Sequence, residues 1–381
     1  MTRFLELLMS AVIVAILFVV VGVFLPSNRV VQHSVETSHP LRQAFDTMNS
    51  FKRFAEWNPL RQHDPRVAYT LSGPAEGVGA QLDYVSALPE IGKGSWHITE
   101  SELDSHVRHT VYNDKYGQNK NYLMTFRQKG KIVEIDWKYS VDYGWSLPGR
   151  YAGLYVDRTV GDDMKRGLAN IANLLASMPN FDYRNLDVQD TVVAPVNILY
   201  ISTTADRNIT AVENAMDVAL KDIRAAIAAN RLVEAEKPRL ITTSFGSDKY
   251  EFDVAIPVAL ASDRVAEGEA AAEEGEGAEA RNDSSVDATA AKAPVDLTPP
   301  APLEDLRLPD NVRQGQSYGG RVLMAAYRGH PAALPLIRDQ LRSYAAAHGE
   351  NLHDRAFEEY LSEIAETAAE DAQFRVYWPI Q

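Results

Sequence analysis

The sequence of 381 residues contains no cysteine. This absence excludes disulfide bonds, thiolate nucleophiles and cysteine-ligated zinc sites together. It is also compatible with an oxidising compartment, where a free thiol is a liability. Any binding or catalysis must therefore use other side chains.

Positive charge is also scarce, since the sequence contains 38 Lys and Arg but 52 Asp and Glu, which gives a net charge of −14. No basic stripe is present that would release counterions from a phosphate backbone, so nucleic acid is not expected as a partner.

His97, His106 and His109 lie on predicted strands without metal-ligand spacing and are expected at the surface. Gly77 and Gly79 lack the third glycine of a dinucleotide fingerprint. No metal and no cofactor are predicted.

The N-terminus carries an uncharged run over residues 7–25. As a helix it spans roughly 28 Å, close to the hydrocarbon thickness of a bilayer. A cleavable signal peptide is the alternative, but its apolar region is usually about 7–15 residues and ends in a small-x-small site, which "FLPSNRVV" lacks. We favour a signal-anchor helix in residues 1–28. It predicts a single-pass protein of a bacterial inner membrane with periplasmic soluble domains, although the flanking Arg3 and Arg29 determine orientation only weakly.

Residues 29–180 are predicted to form one α+β domain. "RVVQHSVET" alternates as a strand does, and "LRQAFDTMNSFKRFAEW" has apolar residues at helical spacing. Alternating segments with Gly-containing turns then predict an antiparallel meander, and a last helix is predicted over about residues 156–177. The expected fold is a curved sheet around that helix.

This order resembles the SRPBCC superfamily of START-like, polyketide-cyclase-like helix-grip domains over roughly residues 30–178. The resemblance rests on Trp57-Asn58-Pro59, on "SGPAEGVGA" at 72–80, on "GKGSWHITESE" at 92–102 and on the helix end "RGLANIANLL". It implies an apolar cavity for lipids, polyketides or other hydrophobic ligands, and it transfers no catalytic residue.

Trp57 stands where the chain crosses the mouth of that sheet. Its large flat side chain can cap the cavity while Pro59 fixes the direction of the chain, or it can simply fill the core, and the two interpretations stay open. Trp96, Trp137 and Tyr122 lie on predicted strands and are further candidates for the cavity wall.

Residues 190–381 are predicted to contain a duplicated β-α-β-β unit. "PVNILYISTT", a helix over residues 208–230, "RLITTSF" and "YEFDVAIPV" form the first copy, and the same order recurs in "GGRVLMAAYRG", "LPLIRDQLRSYAAAHG", "AFEEYLSE" and "AQFRVYWPI". Residues 262–302 between the copies are rich in Glu, Ala, Gly and Pro. They are predicted to be a disordered acidic insertion, because they cannot bury enough apolar surface to offset the entropy of ordering.

The duplicated unit resembles the GyrI-like, AraC-effector-binding family of small-molecule-binding domains. The resemblance rests on "YRGHPAALP" at 327–335, "HG" at 348–349, "FEEYLSE" at 357–363 and "FRVYWPIQ" at 374–381. It implies that Glu358 lies in an aromatic cleft between the repeats and attracts cationic, hydrophobic ligands. The alternative is an exposed strand charge beside Glu359. Candidate walls of the cleft are Tyr360, Tyr327, Tyr200 and Trp378, the last three chosen only for lying on predicted strands.

Two classes of function compete. The first is a membrane-anchored small-molecule-binding protein that senses or carries hydrophobic ligands or lipids, including cationic ones. The second is an enzyme, because both families include members linked to catalysis, namely cyclases in the first and hydrolases of small reactive rings in the second. Glu358 with a nearby tyrosine would then supply acid–base catalysis. We favour binding.

The apolar run generates the first testable prediction. The full-length protein should sediment with membranes and resist carbonate extraction, because residues 7–25 are long enough to span the bilayer and lack a cleavage site. Immunoblotting of membrane and soluble fractions measures this. Mature protein free in the periplasm, with its N-terminus near Asn28, would contradict it.

Overall fold

The computed structural model describes residues 2–246, 248–261, 295–362 and 368–381. The chain forms two units, one of Met1–Arg184 with Ser343–Gly349 and the other of Asn185–Arg342 with Glu350–Gln381. The fold is mixed α+β with two antiparallel sheets, which is the predicted class. Most of the predicted acidic insertion, residues 262–294, lies outside the described residues.

Helix α1 (Thr2–Phe24) contains the apolar run except for Leu25. It is long and apolar enough to cross a membrane, and a signal sequence passes the same test. Strand β1 (Asn28–Thr37) begins four residues after α1 ends.

The first unit builds one seven-stranded sheet in the order β1-β7-β6-β5-β4-β3-β2. Three short helices follow β1: α2 (Leu41–Met48), α3 (Phe54–Trp57) and α4 (Leu60–His63). The strands are β2 (Ala68–Ser72), β3 (Gln81–Val85), β4 (Lys93–Glu102), β5 (His106–Asn113), β6 (Gln118–Lys129) and β7 (Ile132–Asp142). Each strand from β2 to β7 pairs with the next, as in a meander, and β1 closes against β7.

The last helix of the first unit is interrupted. Helix α5 (Leu147–Ala152) passes through a 3₁₀ turn (Gly153–Tyr155) and a π-helical turn (Asp157–Gly161) before α6 (Asp162–Ala176) begins. The apolar stripe of α6 is buried, with Met164, Leu168, Ile171 and Leu175 each less than 5% exposed. The predicted helix start at residue 156 therefore lies just before the π-helical turn.

The second unit builds a nine-stranded sheet. Its strands are β8 (Val188–Val193), β9 (Asn197–Asp206), β10 (Leu232–Glu234), β11 (Arg239–Phe245), β12 (Lys249–Leu260), β13 (Arg313–Gln316), β14 (Gly320–Arg328), β15 (Phe357–Tyr360) and β16 (Gln373–Pro379). The order is β13-β9-β12-β11-β15-β16-β14-β8, with β10 paired to β12. Helix α7 (Ile209–Ala229) lies between β9 and β10, and α8 (Leu334–Ala347) lies between β14 and β15.

Strand β15 lies inside this sheet, between β11 and β16. Glu358 is opposite Leu240 of β11 and opposite Val376 of β16. All four residues of β15 are buried, although two of them are glutamates. The sequence "FEEY" therefore places two buried carboxylates on a strand that is inside the sheet.

Close packing of α6 on the first sheet generates the second prediction. A Cβ added at Gly167 would lie 2.7 Å from Cζ3 of Trp137, whose side chain is 2% exposed. Overpacking of this kind lowers the free energy of unfolding by about 1–3 kcal/mol. The higher helix propensity of Ala relative to Gly raises it by at most about 1 kcal/mol. Gly167→Ala should therefore lower the melting temperature. Asn173→Ala, at an exposed position of the same helix, should leave it unchanged or slightly raised; equal behaviour of the two variants would contradict the contact.

Candidate functional site

The second unit contains a cavity of about 440 Å³. The start of α7 and the first turns of α8 form one side, and strands β11, β12 and β15 form the other. Its lining is largely apolar and aromatic, with a small number of charged groups. The lining residues include Ile209, Val212, Glu213, Met216, Leu240, Phe245, Tyr250, Leu334, Arg338, Glu358, Tyr360 and Phe374.

Glu358 is the most deeply buried charged group of this cavity. The residue is 1% exposed, and among the described residues no donor hydrogen-bonds either carboxylate oxygen. The cation beside it is Arg338, whose Nη1 lies 3.3 Å from Oε1. A buried carboxylate is stable only when its charge is paired and its lone pairs are satisfied. Arg338 therefore supplies the charge, and the hydrogen-bonding capacity of Glu358 stays available to the cavity.

Arg338 is held in place by groups other than Glu358. Its Nη1 donates hydrogen bonds to the Tyr250 hydroxyl at 2.9 Å and to Thr242 Oγ1. The guanidinium carbon lies 5.1 Å from the ring centroid of Phe245 and 5.4 Å from that of Tyr250, within the range of cation–π attraction. The arginine is therefore preorganised, and it faces Glu358 as a fixed positive charge.

Burial determines the acidity of these groups. Desolvation raises the pKa of Glu358 above the usual value of 4.5, and Arg338 opposes this change. Burial also raises the pKa of Tyr250 to about 12, assisted by the charge of Glu358, so the phenol keeps its proton at neutral pH. A carboxylate with a raised pKa on the wall of a cavity is a candidate for binding or proton transfer.

Glu359 has a different role from Glu358, because alternation along β15 points it to the other face of the sheet. Its Oε1 accepts a hydrogen bond from Arg239 Nη2 at 3.0 Å, and its Oε2 accepts one from the Tyr377 hydroxyl at 2.9 Å. Glu359 is 7% exposed. Neither glutamate is an exposed strand charge, and Glu359 belongs to a satisfied ion-pair network.

The cavity contains two of the residues that the sequence proposed for it, Glu358 and Tyr360. Tyr327, Tyr200 and Trp378 do not line it. Tyr327 stacks on Phe374, its cross-strand partner and a residue of the cavity wall, with ring centroids 6.0 Å apart.

The two other residues lie on different parts of the sheet. Tyr200 pairs with Arg313 where β9 meets the short strand β13, and the Trp378 ring lies 5.9 Å from the guanidinium of Arg342. Tyr200 faces the side of the sheet that carries Glu359, whereas Tyr327 and Trp378 share the face of Glu358 but lie outside the cavity lining. Strand membership alone therefore does not place a residue in the cavity.

Sequence reasoning missed Arg338, Tyr250 and Phe245. Arg338 did leave a signal: it occupies the apolar side of α8, between Leu334 and Leu341, where an amphipathic helix otherwise has aliphatic residues. Its partner Glu358 lies twenty residues further along the chain, so only the fold could show that the two charges meet.

The first unit contains a second cavity, of about 510 Å³. Trp96, Tyr122 and Trp137 line it, and the rings of Trp96 and Tyr122 are stacked at 4.8 Å. Trp57 does not line it. Its side chain is fully buried, with ring centroids 5.0 Å from Phe54 and 5.7 Å from Trp137. This burial fits the interpretation in which the ring fills the core, and a role of Trp57 in ligand binding stays a prediction.

His109 corrects the expectation that the histidines lie on the surface. It shares the inner face of β5 with Val107 and Val111 and has no exposed surface. Burial lowers its pKa to about 4, so the ring is neutral. His97 and His106 are half-buried. Among the described residues, no group of three or more His, Asp or Glu is placed to hold a metal ion.

One motif was overlooked in the sequence. Residues 315–319, "GQSYG", match the Gly-x-Ser-x-Gly pattern of hydrolases. Here the serine connects two strands, β13 and β14, whereas a nucleophile elbow joins a strand to a helix. The Ser317 hydroxyl accepts a hydrogen bond from the Val196 amide at 3.1 Å, and no histidine among the described residues contacts it as a base. Ser317 is a structural residue.

Comparison with known proteins gives no family for this chain. No protein-family model matches the sequence, and no curated protein is significantly similar to it. Among solved structures, a hydrolase from Listeria innocua is 9% identical, with 51% of this chain and 92% of that chain covered and a TM-score of 0.31. The EcmrR C-terminal domain is 8% identical, with 51% and 98% covered and a TM-score of 0.35. The protein Ara h 8.0201 is 9% identical, with 39% and 99% covered and a TM-score of 0.31. Likenesses this distant carry no functional information.

The raised pKa of Glu358 generates the third prediction. The folded chain holds this proton more tightly than the unfolded chain, whose carboxyl titrates near 4.5. The contribution of this proton to stability is therefore complete below about pH 4.5 and is lost as pH rises through the folded-state pKa. Each tenfold difference in proton affinity between the folded and unfolded chains corresponds to about 1.4 kcal/mol. Glu358→Gln removes this contribution.

Differential scanning calorimetry of the chain from residue 27 onward tests the prediction. The melting temperature of Glu358→Gln, relative to that of the unchanged chain, should increase between pH 4.5 and pH 8. Glu251→Gln, at an exposed position of β12, is the control and should show a difference that does not depend on pH. A flat profile for Glu358→Gln would mean that this carboxyl is not destabilised by burial.

Proposed function

We propose that this protein is a membrane-anchored small-molecule-binding protein, and that the cavity of its second unit takes an apolar ligand bearing a hydrogen-bond donor. One observation carries the proposal. Both oxygens of Glu358 are buried on the wall of a cavity of about 440 Å³, and no described donor hydrogen-bonds them. Burying an acceptor without a hydrogen bond destabilises the folded protein by about 1–3 kcal/mol, and by more when the acceptor is charged. A ligand that donates a hydrogen bond to Glu358 would remove this penalty, and the free energy regained would favour binding.

The chemical class of the ligand follows from the lining. Apolar and aromatic side chains such as Val212, Met216 and Phe374 favour a ligand with a large hydrophobic surface. Glu358 favours an N–H or O–H group and opposes an anion. Since Arg338 already lies 3.3 Å away, the ligand need not supply the full compensating charge. Neutral amines or phenols and hydrophobic cations are therefore both in the proposed class.

A duplicated, GyrI-like layout of the second unit is part of the proposal. The order β9-α7-β11-β12 is repeated as β14-α8-β15-β16. Strand β11 of the first set pairs with β15 of the second, which brings Leu240 opposite Glu358. In such an arrangement a binding site between repeats arises at the junction of the two halves, where Glu358 lies.

The first unit extends the proposal with a START-like cavity for hydrophobic molecules. Its supporting observation is the cluster of Trp96, Tyr122 and Trp137 around a space of about 510 Å³. Helix α1 is proposed to hold both units at the bacterial inner membrane, on its periplasmic side.

An enzymatic function is the second candidate, and the raised pKa of Glu358 favours it. A desolvated carboxylate is a stronger base than one in water, and Tyr250 is a phenol that keeps its proton. These two groups suit hydrolysis of a small reactive ring. Turnover of an aryl epoxide that disappears in Glu358→Gln would favour the enzyme over the binding protein.

The fourth prediction tests ligand binding by titration calorimetry of the chain from residue 27 onward. The probes are ethidium, an aromatic cation with amine donors, and tetraphenylphosphonium, a cation of similar hydrophobicity without donors. Glu358→Gln should weaken ethidium binding by about tenfold or more, since loss of a charged hydrogen bond costs upwards of about 1.5 kcal/mol. Tetraphenylphosphonium should bind more weakly and respond less.

The matched control is Glu251→Gln, which removes a carboxylate from an exposed position of the same sheet. Glu359→Gln is unsuitable, because it breaks the buried ion pair with Arg239. Ethidium affinity should not change in Glu251→Gln. Equal losses in the two variants would indicate attraction to a generally acidic surface, and an absence of probe binding would overturn the proposed class of ligand.

A further inference from the structure

Arg150 of α5 binds the C-terminal end of the apolar helix α1. Its Nη1 donates hydrogen bonds to the carbonyl oxygens of Val23 at 2.8 Å and Leu25 at 3.2 Å, and its Nε donates to Gly144 O at 2.8 Å. The last carbonyls of a helix lack partners within the helix, and a cation there is favoured by the helix dipole. No basic residue is present in the last turn of α1, so Arg150 supplies this charge from elsewhere in the chain.

Contacts between α5 and α1 extend well into the apolar run. The Tyr151 hydroxyl donates to Phe18 O at 2.9 Å, and the rings of Phe18 and Tyr151 are stacked at 4.4 Å. Gly22 permits the close approach, since a Cβ there would lie 3.0 Å from Cδ2 of Leu147. Phe18 lies six residues before the end of α1, which is about 9 Å along the axis. Helix α5 therefore lies beside the last two turns of α1.

The segment around α5 also exposes apolar and aromatic side chains. Trp145 is 82% exposed, Tyr155 is 62% exposed and Leu154 is 50% exposed. All three lie within five residues of Arg150 or Tyr151 in the sequence. Trp and Tyr are enriched where membrane proteins cross the headgroup region, because their rings are apolar and their N–H and O–H groups are polar.

We propose that residues 145–155 lie in the headgroup region of the bilayer that α1 crosses, so that the first unit is seated on the lipid surface. The depth is fixed by the chain itself. If the apolar run occupies the hydrocarbon core, the hydrogen bonds from Arg150 to the carbonyls of Val23 and Leu25 hold α5 at the level of the core's boundary. The hydrogen bond from Tyr151 to Phe18 lies about 9 Å deeper, within the depth of about 5–10 Å to which an amphipathic segment at an interface buries its apolar face. This inference rests on the proposed membrane anchor and is independent of the ligand of the second unit.

The test uses fluorescence of the full chain in phosphatidylcholine vesicles. In a Trp145→Phe background, one variant carries Tyr155→Trp and the matched control carries Leu103→Trp. Tyr155 and Leu103 are both 62% exposed, and Leu103 lies in the turn between β4 and β5, at the end of the sheet opposite to the start of β1. Signals from the remaining tryptophans are removed by subtracting the Trp145→Phe background.

Lipids brominated on the acyl chain should quench the tryptophan at 155 several-fold more than the one at 103. Iodide in the water should do the reverse. Suppose that iodide quenches both positions, that brominated lipid quenches neither, and that the protein still resists carbonate extraction. This result would contradict the position of residues 145–155 in the headgroup region and would leave α1 as the membrane anchor. Shielding from iodide without quenching by lipid would mean that protein, such as a second copy of the chain, covers the segment, which also overturns the proposal. Release by carbonate would overturn both the anchor and the seating.

Discussion

The position of β15 inside the second sheet is the constraint on which the candidate site depends. A strand paired on both sides has its backbone fixed by two ladders, so Glu358 cannot move toward solvent by bending an edge. The carboxylate therefore lies on the wall of the cavity, and its charge must be compensated by groups there. Arg338, Tyr250 and the cavity are the consequences of that one placement.

Stability does not account for such an arrangement. A buried ion pair is often no better for stability than well-packed hydrophobic residues of the same size, because each charge loses its hydration. The pair of Glu358 and Arg338 is poorer than most, since the 3.3 Å contact is not accompanied by hydrogen bonds to the carboxylate among the described residues. Glu359, the neighbour of Glu358 in the same strand, forms a buried ion pair with Arg239, and both of its carboxylate oxygens accept hydrogen bonds. Such a fully hydrogen-bonded pair is what a structural role of a buried glutamate requires. The difference between the two neighbouring glutamates supports the proposal that Glu358 binds a ligand.

Local signals in the sequence predicted much of the fold. The meander from β2 to β7 and the strands around α7 and α8 follow from alternation and helical spacing, which act over a few residues. Strands β8, β10 and β13 were missed, because "VQDTVV", "LVE" and "RQGQ" are short or polar and exist through their partners in the sheet. For the site, alternation correctly separated Glu358 from Glu359. It could not select Arg338 or reject Tyr200, because those outcomes depend on which elements meet in space.

The two cavities differ in a way that constrains what each can hold. Around the first, Trp96, Tyr122 and Trp137 present ring surfaces, and burial raises the pKa of Tyr122 so that its hydroxyl stays neutral. The same cavity is also lined by His63, Glu90, Lys115 and Asp163, most of which are exposed to water, so their charges are screened by solvent. The second cavity has an under-bonded carboxylate and a fixed guanidinium, and therefore discriminates between donors and acceptors even among ligands of equal size. One chain thus combines a cavity whose charged groups are mostly exposed to water with a cavity whose carboxylate and guanidinium are buried, and a single polar contact is stronger in the second, where solvent does not screen it.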